Sequence, residues 1–243
     1  MTEPKGRGGG QPVVFPQIAD ETYTLASKLI RAIALQYSQT AASARAGIAV
    51  LVFLPGMMAI DTMYDDLGLT LTPRWCNAWL DVLVMHSTIP LAEMQAAFGA
   101  VPPGRTRIIL ATNIAESSLT LGNVDYVLDF GLRKEIRYDD RLKVARQVLT
   151  WVSKSSSKQR AGRTGRLAPG TVFHLYTEGF YSGMADYDAP EMLRVPLENV
   201  VLRAKTMDVG LPSQILARAI NPPAPDAIAV AVRTLFNQGA IVR

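Results

Sequence analysis

The 243-residue chain has a single cysteine, Cys76, and only two histidines, His86 and His174. One thiol excludes an internal disulfide, and so few sulfur and imidazole donors speak against a structural zinc site, so no metal ligand is assigned. No apolar run reaches the roughly 18 residues that a membrane span requires. The opening MTEPKGRGGGQP lacks the apolar centre of a secretory leader. These absences predict an intracellular protein, cytoplasmic or nuclear, with no membrane partner and a flexible tail over residues 1–19.

What is present is 49% apolar residues, enough to bury a proper core, in a length that suits one ordinary domain plus part of another. The net charge of +4 is unevenly spread. Residues 131–166 carry eleven Lys or Arg against Glu135, Asp139 and Asp140, a local +8, while the remainder has fourteen against eighteen acids, or −4. A basic patch on a slightly acidic chain is the footprint of contact with phosphate or nucleic acid.

Along the chain, residues 20–38 place Leu25, Leu29, Ile33 and Tyr37 four apart, which predicts one apolar helical face, with Asp20 as cap. GIAVLVFLPG then reads as a strand buried on both faces, followed by a helix over MMAIDTMYDDL. WLDVLVMHS (strand from about Asp81 to Met85), TRIILAT, Val124 to Asp129 and TVFHLYT are four further parallel-type strands. Pro90 opens a helix between two of them, and Pro102, Pro103 and Gly104 make a turn. Arg133 to Val152 alternates apolar and charged residues about DDR, as a hairpin does. From Pro196 the pattern changes to short helices around the break NPPAP. The expectation is an α/β domain of five to six parallel strands with helices on both faces over residues 20–194, then a helical segment over 195–243.

In such sheets ligands bind at the carboxyl ends of strands, which singles out PGMMAI, HSTI and TNIAESSLT. The strongest chemical signal is KQRAGRTGR, Lys158 to Arg166. Arg160, Arg163 and Arg166 are three apart and share a face if the segment is a helical turn or two, and guanidinium groups grip phosphate oxygens bidentately. Gly162 and Gly165 would each cost about 1 kcal/mol against alanine in a plain solvated helix, so they imply close approach to a ligand.

Q-R-x-G-R-x-G-R resembles motif VI of superfamily 2 helicases, and its flanks resemble the DEAH/RHA branch, most of whose members are RNA helicases. VLVFLPGMMAI is similar to motif IV, HSTIP to a motif IVa strand end, and TNIAESSLT to motif V. The resemblance covers nearly the whole chain after residue 20 and implies a RecA-like domain 2, with residues 195–243 as the start of a winged-helix module. It implies that Gln159 positions water at the γ-phosphate and that Arg163 and Arg166 are arginine fingers. Ser118, Thr120 and Arg160 fall in the nucleotide-binding set, Arg160 also reading as a pairing arginine. Ser87, Thr88, Thr112, Asn113, Ser153 and Lys154 fall in the RNA-binding set, with helix capping as the alternative for Ser87 and Thr88. Two positions depart from the family pattern: Leu132 stands where an adenine-stacking aromatic is common, and Gly122 where an acid often follows motif V. Both predict loose selectivity for the base.

G-x-x-x-x-G-K-[ST] and a paired acid two residues before histidine, the elements that cradle phosphates and Mg²⁺, occur nowhere in these residues. The resemblance therefore implies that ATP and Mg²⁺ are held mainly by an N-terminal RecA-like domain. RNA and an activating protein are the other expected partners. The rival readings are a non-catalytic RNA- or protein-binding scaffold and a DNA-directed motor.

Overall fold

The computed structural model describes residues 16–40, 47–68, 80–117, 121–139, 144–166, 168–207 and 209–241. Five strands form one parallel sheet: β1 (Ile48–Phe53), β2 (Leu80–Met85), β3 (Thr106–Ala111), β4 (Tyr126–Asp129) and β7 (Thr171–His174), in the order β2-β3-β1-β4-β7. The sequence order steps from β1 to one side and then to the other, so β1 is central and its apolar run, IAVLVF, is buried on both faces. Edge strands β2 and β7 are only partly buried, which suits Asp81 in β2, ion-paired at 2.9 Å with Arg107 of β3. β7 is shorter than TVFHLYT suggests: the Leu175 amide makes one last bond to the Asp129 carbonyl, and the Tyr176 hydroxyl then turns in to the Asp129 carboxylate.

Apolar side chains on the two faces of the sheet form two clusters. One packs under α1 (Asp20–Thr40) and α2 (Met57–Asp66) through Ile30, Val50, Val52, Ile60, Met63 and Leu128. The other packs under the short helix α3 (Leu91–Met94) and its 3₁₀ extension Gln95–Phe98 through Leu51, Phe53, Met85, Met94 and Ala97. Helix α1 corrects the predicted face in part: Leu25 is 57% exposed, and the buried stripe runs through Tyr23, Ala26, Ile30, Ile33 and Tyr37. Steps of four drift about 40° per step around a helix with 3.6 residues per turn, whereas alternating steps of three and four hold one face. At Pro102 the chain reverses, with the Arg105 amide donating to the Pro102 carbonyl and Gly104 at φ 73°, the left-handed value glycine accepts.

Between β4 and β7 the chain makes an excursion. β5 (Leu132–Asp139) and β6 (Val144–Trp151) pair antiparallel as the predicted hairpin, and α5 (Lys154–Ala161) returns to the sheet. A one-turn helix, α4 (Ile114–Ser117), follows β3, and α6 (Glu178–Gly183) follows β7 with Thr177 as its cap. Beyond Pro196, α7 (Glu198–Thr206), α8 (Pro212–Leu216) and α9 (Pro225–Asn237) surround a separate small core of Leu197, Val201, Leu216, Ile228, Ala231 and Leu235. Helix α9 closes with the Gly239 amide on the Phe236 carbonyl and Ala240 on Leu235, Gly239 standing at φ 70°. The hairpin's outer edge meets the approach to this module: the Tyr138 amide donates to the Arg194 carbonyl, and Arg194 Nη1 donates to the Ile136 carbonyl at 3.1 Å. No described helix is long and apolar enough to cross a membrane.

Candidate nucleotide and nucleic-acid edge

The register ends all five strands in line, at Met85, Ala111, Phe53, Asp129 and His174. Segments leaving these ends share one rim, where open α/β sheets bind ligands.

Asp129, the last residue of β4, organises that rim. It is fully buried and accepts from the Gly131 amide (2.9 Å), Arg160 Nη1 (2.7 Å) and the Tyr176 hydroxyl (3.0 Å), with His174 Nδ1 at 3.6 Å. Burial alone would raise its pKa. The adjacent Arg160 charge and the hydrogen bonds from His174, Arg160 and Gly131 outweigh burial and lower it to about 2. Tyr176 also bonds to Ser157 Oγ and His174 Nδ1, and burial beside Asp129 pushes its phenol well above the ordinary value. Gly131 stands at φ 72°, and a Cβ there would lie 2.7 Å from the Tyr176 ring, so glycine is required on both counts.

Arg160 is the one side chain of KQRAGRTGR that points wholly inward, at 0% exposure. It donates to Asp129, to Glu116 Oε2 (3.1 Å) and to the Leu132 carbonyl (3.2 Å), and lies over the Phe53 ring. Burial opposes its charge, yet the two carboxylates hold its pKa above the ordinary value. These partners fit the pairing role that the sequence offered for Arg160 beside the nucleotide-binding one.

Helix α5 also ends sooner than the arginine spacing suggests. Gly162 is its C-cap, so Arg163 and Arg166 leave the helix and share no helical face with Arg160. Gly165 takes φ 76°, which turns the chain back, while Gly162 is at an ordinary φ of −68°. Arg163 is 8% exposed and donates through Nη2 to the Glu116 carbonyl. Burial, then the neighbouring Arg166, lowers its pKa, so two cations are held together at a site that an anion would relieve. Arg166 and Gln159 are exposed, Arg166 donating to the Gly162 carbonyl at 3.2 Å.

The other expected residues divide by burial. Ser87 and Thr88 are exposed after β2, and neither caps α3, whose N-cap is Pro90; Thr88 Oγ1 pairs with His86 Nδ1 at 2.8 Å. Thr112 is buried where β3 ends, its amide on the Met85 carbonyl, and Asn113 beside it is exposed. Ser153 is 2% exposed and caps α5, accepting from the Ser156 amide at 3.1 Å. Its hydroxyl oxygen thus serves within the chain as a helix cap. Lys154 is partly exposed and paired with Asp186 at 2.9 Å. Ser118 and Thr120 lie outside the described residues. Leu132 is buried beneath the rim and offers no stacking surface.

Glu116, Asp129, Ser156, Ser157 and Tyr176 belong to this network without having been singled out in the sequence. Glu116 alone carried a signal, as the acid inside TNIAESSLT. Cavities of about 820 and 910 Å³ lie beside the hairpin and in the helical module. Among the described residues no group of three His, Cys, Asp or Glu side chains is placed to hold a metal ion.

A parallel sheet whose carboxyl rim presents arginines from the helix–turn after a basic hairpin defines a RecA-like α/β domain. The chain belongs to the family described as the helicase conserved C-terminal domain, whose pattern matches residues 28–168. It is 41% identical over 192 residues to the ATP-dependent RNA helicase DHX29 of Mus musculus, covering 79% of this chain and 14% of that protein. It is 39% identical over 236 residues to the probable ATP-dependent RNA helicase spindle-E of Drosophila yakuba, covering 94% and 16%. Among solved structures, the Escherichia coli DExH-box NTPase HrpB superposes with a TM-score of 0.67 at 26% identity, covering 92% of this chain and 25% of that one. The chain thus spans about one sixth of the length of such curated relatives.

Proposed function

We propose that this chain is the second motor domain of an ATP-dependent RNA helicase of the DExH/DEAH type, residues 20–194 being the RecA-like domain 2 and 195–243 the start of a winged-helix module. It supplies half of an interdomain ATP site. An N-terminal RecA-like domain would hold most of the nucleotide and its Mg²⁺. On closure Gln159 orients the attacking water, and Arg163 and Arg166 meet the charge that spreads over the transferring phosphoryl group. The observation that supports this reading most directly is the Arg163–Arg166 pair, two neighbouring cations on the turn after a helix that Arg160 and Asp129 tie to the sheet.

The same rim provides nucleic-acid contacts. Exposed Ser87, Thr88 and Asn113, with Thr112 at the strand end and Lys154 at the start of α5, suit a sugar–phosphate backbone rather than base edges. RNA is the substrate this reading assigns, an activating protein is a further expected partner, and the setting is intracellular. A buried Leu132 fits weak discrimination among nucleotide bases.

The test is ATP hydrolysis by the protein carrying this chain with its phosphate-binding domain, with and without single-stranded RNA. Arg163→Ala is expected to abolish RNA-stimulated turnover, since arginine fingers are worth roughly 10³ to 10⁵ in rate. Wild-type protein as inactive as the variant, across nucleotides and RNAs, would replace this reading with that of a scaffold.

A further inference from the structure

Glu116 joins the segment after β3 to α5 and to the turn that follows it, through its carboxylate and its backbone carbonyl together. Its carboxylate accepts from Ser156 Oγ and Arg160 Nε, and its carbonyl accepts from Arg163 Nη2. Ser156 and Arg160 lie on the buried face of α5, while Arg163 follows its C-cap. On its own side, Glu116 sits in the single turn α4, whose amides at Ala115 and Glu116 donate to the carbonyls of Thr112 and Asn113. The anchor of the assigned finger therefore follows the strand-end positions assigned to RNA, Thr112 and Asn113, by only four and three positions.

We propose that Glu116 is a positioning residue, the joint through which occupancy at Thr112 and Asn113 sets the orientation of Arg163. With the Ala115 and Glu116 amides tied back to the Thr112 and Asn113 carbonyls, a shift of Asn113 carries Glu116 with it. The Glu116 carboxylate then drags α5 through Ser156 and Arg160, and its carbonyl releases or recaptures the Arg163 guanidinium. Arg163 is 8% exposed while its Nη2 donates to that carbonyl, so the bond sets how much of the guanidinium faces a phosphate at the rim. Glu116 touches neither ligand. It acts through Arg163, and the inference rests on the functional reading above.

The experiment measures kcat and KM for ATP, and the RNA concentration giving half-maximal stimulation, in the protein carrying this chain with its phosphate-binding domain. Glu116→Ala is expected to lower kcat at saturating RNA at least tenfold while both half-saturation values stay within about threefold, since no ligand contact is lost. Glu116→Gln keeps both hydrogen bonds, its oxygen toward Arg160 and its amide toward Ser156, and should stay within about threefold of wild type. Ser156→Ala removes one hydroxyl from the same joint, lowers kcat in the same direction by less, and causes no further loss when added to Glu116→Ala. If Glu116→Ala fails to fold, Ser156→Ala decides, and a wild-type kcat there overturns the inference. A folded Glu116→Ala with wild-type kcat, or a loss shared equally by KM and RNA affinity, also overturns it. Arg163→Ala run in parallel separates the two claims. If Arg163→Ala is inactive and Glu116→Ala is not, the joint alone is wrong; if Arg163→Ala is fully active, the finger reading falls and takes the joint with it.

Discussion

Asp129 is the residue on which the rim's electrostatics close. Its carboxylate neutralises a fully buried guanidinium, so Asp129→Asn leaves Arg160 with Glu116 as its remaining carboxylate partner. Breaking a buried pair from one side costs about 3–5 kcal/mol, and urea unfolding should register a loss of that order. The pH dependence has a defined sign. The folded-state pKa, about 2, lies below the ordinary 3.8, so the stabilisation is present above the upper value and is lost as pH falls toward the lower. The wild type should therefore lose stability more steeply than Asp129→Asn between about pH 4 and pH 2, as followed by urea midpoints at each pH. Glu116, Ser157 and Tyr176, which complete the network, left little trace in the sequence because their partners lie 19 to 47 positions away and meet only when β4, α5 and the end of β7 converge.

At the scale of the element, α5 shows what a cap does beside a functional loop. Ser153→Ala should cost about 1 kcal/mol by removing the acceptor for the Ser156 amide, read as a lower thermal midpoint. RNA affinity measured below that midpoint should stay within about twofold of wild type, because the hydroxyl oxygen serves as the helix cap. The five sheet strands were legible because each is an apolar run closed by proline, glycine or a polar cluster, and the hairpin because charged and apolar residues alternate around DDR. The face of α1 was legible in part: Ile33 and Tyr37 are buried and Leu29 packs against the core, but Leu25, at the far end of a spacing of four, has turned out to solvent. The end of α5 was hidden: three arginines at equal intervals suggest a continuing helix, and only the C-cap at Gly162 with the left-handed turn at Gly165 shows that the last two leave it.

On the scale of the whole molecule, the helical module keeps a core of its own beside the sheet. The 243-residue chain alone is expected to show no RNA-stimulated ATP hydrolysis, assayed as phosphate release in Mg²⁺. Addition of a phosphate-binding RecA-like domain on the same polypeptide should restore it. Metal-dependent turnover by a clean preparation of the chain alone would remove the half-site argument. The module's core should also unfold apart from the sheet. Leu235→Ala, a large-to-small change costing about 2–5 kcal/mol, should speed amide exchange in α7 and α9 and leave β1 and β3 protected.

The hairpin is closed at its root by the Val152 amide on the Gly131 carbonyl and held further out by Arg194 on Ile136 and Tyr138. An antiparallel pair clasped in this way tolerates added length in its connection, since each doubling of a loop costs only about 0.6 kcal/mol. A peptide epitope or a fluorophore-binding tag spliced between Asp139 and Val144 would thus ride on the domain as cargo, giving engineers an attachment point whose occupancy the buried carboxylate of Asp129 never feels.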